Sequence, residues 1–75
     1  MALKEVRTVA GLSQSQLSEL SGVNYRTLQK YEIGAKDING AKLATLLKLC
    51  KALNCGLSDI VTDEETLQLL DELNY

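Results

Sequence analysis

The stretch LSQSQLSELSGVNYRTLQKYE, Leu12 to Glu32, constrains this chain more than any other. Ser13 is a good N-cap residue, and Gln16 stands where the second half of a capping box belongs. Leu12 before the cap and Leu17 after it have the spacing of a hydrophobic staple. Gly22 stops the helix, because glycine enters the left-handed conformation without a Cβ clash. Asn24 then caps a second helix, with Val23 and Leu28 repeating the staple around it. Only Ser21, Gly22, Val23 and Asn24 separate the two helices, so they must cross steeply. Ser18 faces the turn, where a bulky side chain would hold the helices apart.

The faces of the second helix follow from a turn of about 100° per residue. Leu28 and Tyr31 fall on one side, with Asn24 near them. Arg26, Gln29, Lys30 and Ile33 fall on the other, with Tyr25 on the flank. Arg pairs bidentately with guanine, Gln with adenine, and an apolar ring edge meets a thymine methyl. A merely solvated helix face has a similar composition. Here a complete two-helix pattern precedes the face, and that favours double-stranded DNA as the partner.

These residues resemble the helix-turn-helix of the lambda-repressor/Cro-like (XRE) family. Gln14, Leu17, Ser18, Gly22, Val23, Thr27, Leu28, Lys30, Tyr31 and Glu32 fall where that family's pattern has such residues. The similarity extends from about Leu3 to Val61. One departure is Ser21, where many members carry Leu or Val; Leu20 next door is the candidate to compensate. The resemblance implies an all-α, five-helix DNA-binding domain over residues 1–61. It also implies that Arg7 pairs with Glu32 and ties the first helix to the third, as a forked guanidinium on a carboxylate can do. It gives Gln14, the first residue of helix 2, a place against the DNA backbone and a bracing role for helix 3.

The rest of the chain reads as further helices. Ala2 to Ala10 forms helix 1, with Leu3, Val6 and Val9 or Ala10 inside and Gly11 ending it. Gly34 stops helix 3. After the loop Ala35–Ile38, Asn39 is the expected cap of helix 4, and Gly40 and Ala41 leave the start of that helix unshielded. Lys36 and Lys42 flank it, although Asp37 is a poor neighbour for a phosphate. In proteins similar to this one, the loop and helix start grip the sugar-phosphate backbone, contacts that position without specifying sequence. That makes Asn24, Lys36, Asn39, Gly40 and Lys42 backbone candidates beside Gln14. The base-facing candidates are Tyr25, Arg26, Gln29 and Lys30. In helix 4, Leu43, Leu46, Leu47, Cys50 and Leu53 form an apolar stripe. Leu57–Val61 reads as a short helix 5.

Residues 62–75 are expected to form an acidic helical extension. Thr62 and Glu65 have capping-box spacing, and Leu67, Leu70 and Leu73 share a face with Leu69 nearby. Such a stripe is too large to leave wet on a small protein. It packs on its own domain or forms, with helix 5, the seam of a homodimer.

The net charge of −2 looks wrong for a DNA binder until its distribution is read. Residues 1–56 carry all eight Lys and Arg against Glu5, Glu19, Glu32 and Asp37, a balance of +4. Residues 57–75 carry Asp59, Asp63, Glu64, Glu65, Asp71 and Glu72, a balance of −6. A local basic surface matters more to phosphates than the total.

Other classes fare worse. There is no His, and two cysteines, Cys50 and Cys55, make neither a disulfide framework nor a metal site. Nothing pairs a nucleophile with a base, so no enzyme, cofactor or small-molecule ligand is expected. No apolar run approaches the roughly 20 residues that span a bilayer. Lys4, Glu5 and Arg7 interrupt the N-terminus before a signal peptide's apolar core can form, so a cytoplasmic protein is expected. The reading is therefore a small transcriptional regulator, most simply a dimeric repressor. The alternative is a protein-interaction module, such as an antitoxin or co-regulator, that keeps the fold and holds a partner with its acidic, Leu-bearing C-terminus.

Overall fold

The computed structural model describes residues 3–73, and every regular element among them is helical. Six α-helices follow in order: α1 Leu3–Val9, α2 Gln14–Ser21, α3 Tyr25–Glu32, α4 Leu43–Leu53, α5 Leu57–Ile60 and α6 Glu64–Glu72. A single 3₁₀ turn, Ile38–Gly40, stands between α3 and α4. The expected start of helix 1 at Ala2 lies outside the described residues.

The local chemistry of the first two turns explains the α2–α3 arrangement. The Ser13 hydroxyl accepts from Gln16 N–H at 3.1 Å, and the Gln16 carboxamide accepts from Ser13 N–H at 2.8 Å. Gly22 takes φ 77°, and its N–H returns to the Ser18 carbonyl at 2.9 Å. The Ser18 hydroxyl donates to the Val23 carbonyl at 2.7 Å, so the small residue bonds the turn as well as leaving room for it. Ser21, the departure from the family pattern, accepts from Val23 N–H at 3.1 Å. Leu20 does not compensate for it by packing, because its side chain is exposed. The polar Ser21 is accommodated by a hydrogen bond instead.

The core joins Leu3 and Val6 of α1, Leu17 of α2, Val23 of the turn, Leu28 of α3, Leu46, Leu49, Cys50 and Leu53 of α4, Ile60 of α5, and Val61. α4 is its centre, packed on α2 at one side and α5 at the other, while α1 bridges α5 and α3. The apolar stripe expected on α4 is corrected by this arrangement. Leu43 and Leu47 are 61% and 49% exposed, whereas Leu49 is 0% exposed. Leu46, Cys50 and Leu53 of the expected stripe are buried, but leucines occupy more than one face of this helix, and Leu49 takes the place expected for Leu43 and Leu47. Burial between α2 and α5 selects the stripe through Leu46, Leu49, Cys50 and Leu53. Val9 is likewise 79% exposed at the end of α1.

Two expected caps are also corrected. Asn39 does not cap α4: it lies inside the 3₁₀ turn, whose own cap is Asp37, and Lys42 occupies the N-cap position of α4. Thr62 does not cap α6; Asp63 does, accepting from Thr66 N–H at 3.0 Å and from the Thr66 hydroxyl at 2.7 Å. In α6, Leu67 and Leu70 are half-buried and Leu69 and Leu73 are exposed.

Candidate nucleic-acid interface

The site is built on α3, and α3 is held from behind by one carboxylate. Arg7 Nε donates to Glu32 Oε2 at 2.7 Å and Arg7 Nη2 to Glu32 Oε1 at 2.9 Å. Arg7 Nη1 donates to the Leu12 carbonyl at 2.8 Å, and Gln14 Nε2 to Glu32 Oε1 at 3.1 Å. The Glu32 and Arg7 side chains are only 2% and 13% exposed. Burial pushes the Glu32 carboxyl up, but the bonds from Arg7 and Gln14 and the charges of Arg7 and Lys4 outweigh it and hold its pKa below the ordinary glutamate value. The bond to Glu32 raises the Arg7 pKa in turn. The result ties α1, the α1–α2 loop, the start of α2 and the end of α3 to one point. Gln14 thus spends its carboxamide nitrogen on the brace and keeps its carboxamide oxygen and helix-start N–H.

At the other end of α3, Asn24 Oδ1 accepts from Arg26 N–H at 2.8 Å and Thr27 N–H at 3.3 Å. Among the described residues nothing accepts from the Asn24 side-chain NH₂, which lies at the mouth of the helix. With Leu28 buried and Tyr31 half-buried against the core, the opposite face is set outward: Tyr25, Arg26 and Lys30 are exposed and Gln29 is half-buried. No acid stands among them. Ile33 lies past the helix end, 76% exposed.

Gly34, at φ 79°, turns the chain back, and the Lys36 N–H donates to the Lys30 carbonyl at 3.1 Å. That places Lys36 Nζ 5.7 Å from the centre of the Tyr31 ring, a cation–π distance. An open groove of about 460 Å³ then runs between the start of α3 and the start of α4. Its rim brings together Asn24, Lys36, Gly40 and Lys42 of the expected backbone set. It adds two residues that sequence reasoning missed, Thr45 and Lys48. The signal was present: Lys42, Thr45 and Lys48 recur every third residue, which puts them on one side of a short helix. Among the backbone candidates, Gln14 and Asn39 stand outside this groove.

The α4 end of the groove is chemically open. Lys42 at the N-cap has no oxygen to offer, and no side chain caps the helix. The first N–H groups of α4 therefore remain available, with the positive end of the helix dipole behind them and three lysines beside them. Such an arrangement accepts an anionic oxygen. Asp37, the poor neighbour for phosphate, stays exposed, with its Oδ1 accepting from Asn39 N–H and Asn39 Nδ2, both at 3.0 Å. The Asn39 side chain is bonded to Asp37, Thr62 and Asp63.

A helix crossing its partner over a tight turn, an acid-free polar face and a lysine-lined groove beside it define a DNA-binding helix-turn-helix regulator. The family comparison agrees: the profile described as helix-turn-helix matches residues 3–60. The chain belongs to this family, the lambda-repressor/Cro-like (XRE) helix-turn-helix proteins. No curated protein matches it. No helix among the described residues is long and apolar enough to cross a membrane.

Proposed function

We propose that this chain is a sequence-specific transcriptional regulator of the repressor type, which reads the major groove with α3 and binds its operator as a homodimer. The observation that carries this reading is the exposed Tyr25–Arg26–Lys30 face of α3 beside the lysine-lined groove. Tyr25, Arg26, Gln29 and Lys30 meet base edges. Arg26 is the best placed to pair with a guanine, and Gln29 with an adenine. Asn24, Lys36, Gly40, Lys42, Thr45, Lys48 and the free N–H groups of α4 hold one backbone, and Gln14 holds it from the start of α2. The exposed Leu69 on α6 and Leu73 at its C-cap favour pairing of two copies through this helix. Two recognition helices then lie about 34 Å apart, one turn of DNA. Repression follows from occupancy, because a dimer seated on a promoter excludes polymerase.

Selection of the purified protein on random duplex DNA tests this. A recovered near-palindrome with half-sites about one turn apart is the expected result. Failure to enrich any sequence, with binding that vanishes as salt rises, overturns the sequence-reading function. It would turn attention to the Leu69–Leu73 face as a partner site.

A further inference from the structure

The Asn39 side chain makes every hydrogen bond that a carboxamide can make. Its Oδ1 accepts from Thr62 N–H at 2.8 Å and from Asp63 N–H at 3.1 Å. Its Nδ2 donates to Thr62 Oγ1 and to Asp37 Oδ1, each at 3.0 Å. The orientation of the amide is unambiguous, because backbone N–H groups only donate and a carboxylate only accepts. Asn39 N–H is also occupied, on Asp37 Oδ1 at 3.0 Å. Nothing on this side chain is left for a phosphate.

Three of these four side-chain bonds join two places far apart in sequence, and the fourth, to Asp37, stays within the turn. One place is the 3₁₀ turn Ile38–Gly40, which leads directly into Ala41, Lys42 and the open end of α4. The other is the Thr62–Asp63 corner between α5 and α6, where Asp63 in turn caps α6 through Thr66. Asp37, the 3₁₀ turn, the corner and the α6 cap form one chain of hydrogen bonds. A short 3₁₀ turn has little stability of its own. Its position relative to the core comes from this bracket and from the half-buried Ile38.

We infer that Asn39 is a positioning residue for DNA binding: its carboxamide fastens the turn that presents Gly40, Lys42 and the α4 start to the phosphate backbone, and it does so by anchoring that turn to the Thr62–Asp63 corner. The inference rests on the backbone-gripping role proposed above for these groups. It places the control of that grip in a part of the chain, the base of α6, that touches no DNA. The gripping contacts carry no base information, so Asn39 governs affinity and leaves sequence preference alone.

Two variants of unchanged net charge test it in the full-length protein. Asn39→Ala removes the bracket. The double variant Asp37→Asn/Asn39→Asp rebuilds it with the polarity of two bonds reversed: the new carboxylate still accepts from Thr62 and Asp63 N–H, and now also accepts from the Thr62 hydroxyl and from the new carboxamide at position 37. Binding is measured to the selected duplex and to a random-sequence duplex of about 20 base pairs at low salt. Amide hydrogen exchange is followed at Thr62 and Asp63.

Asn39→Ala is expected to weaken both duplexes by the same factor, on the order of tenfold, and to speed exchange at Thr62 and Asp63. The double variant is expected to restore both readouts. A residue that mattered only for stability would lower the unfolding midpoint and leave the affinity of the folded protein intact; that result overturns the inference. Loss of binding in Asn39→Ala that the double variant fails to recover overturns it as well. Should Asn39→Ala not fold, Thr62→Val removes only the hydroxyl bond and must show the same two changes in milder form; neither appearing overturns the inference. Wild-type protein that binds no duplex at all defeats the DNA-gripping reading itself, a failure visible before any variant is made.

Discussion

Arg7 and Glu32 meet in a forked pair, two nearly parallel N–H···O bonds of 2.7 and 2.9 Å, in a place where the carboxylate is 2% exposed. The pair joins the first helix to the end of the third. Removing one partner strands the other charge in a water-poor site. Arg7→Met and Glu32→Leu should each cost roughly 3 kcal/mol in urea unfolding, with the double variant close to either single one. Additive losses would show that the two side chains are not coupled.

The same pair sets an acid limit. The Glu32 pKa is lowered in the folded protein, so the folded state favours the ionised form. Its contribution to stability is full above the ordinary glutamate pKa and is lost as pH falls through that value towards the lower folded one. The advantage of wild type over Glu32→Gln in urea midpoint should therefore shrink on acidification below the ordinary glutamate range. A difference independent of pH across that range would contradict the assignment.

Base readers and backbone holders should separate cleanly. Arg26→Ala is expected to cost about 1–3 kcal/mol on the selected operator and to relax one base position. Lys48→Ala should weaken operator and random DNA by one common factor and lower the salt slope by about 0.9. Equal losses on both duplexes for Arg26→Ala would remove it from base reading. Anisotropy titrations over a salt series measure both.

The two cysteines should be inert. Burial, aided by Cys50 and Asp59, pushes the Cys55 thiol up to about 12, and burial raises Cys50 as well. Thiolate is the reactive form, so alkylation at neutral pH should follow unfolding rather than the folded state. Iodoacetamide labelling followed by mass spectrometry checks this. Fast labelling of Cys55 in native protein would disprove it.

Much of the candidate site was legible in the chain itself. Caps and staples are local, and the residues that make them stand within a few positions of one another. Ser13 with Gln16, Gly22, and Asn24 before Arg26 and Thr27 could be read directly. The outward face of α3 followed from helical geometry once Leu28 was placed inside. Asn39 shows where such reading stops. Beside an unshielded helix start, an Asn reads as a cap, because the competing acceptors and donors at Thr62 and Asp63 lie more than twenty residues away. Only the folded chain brings them within reach.

The sequence by itself determined the helices, the caps of α2 and α3 and the polar outward face of α3, because turn chemistry and helical periodicity act over a few residues. The tertiary structure decided which leucines of α4 are core, that Thr45 and Lys48 share a groove with Lys36, and that Asn39 is a bracket. Each of these depends on which elements lie side by side. Beside Leu46, Cys50 and Leu53, α4 could bury either Leu49 or the Leu43–Leu47 side until α2 and α5 closed on it, and a carboxamide takes whichever partners the packing delivers.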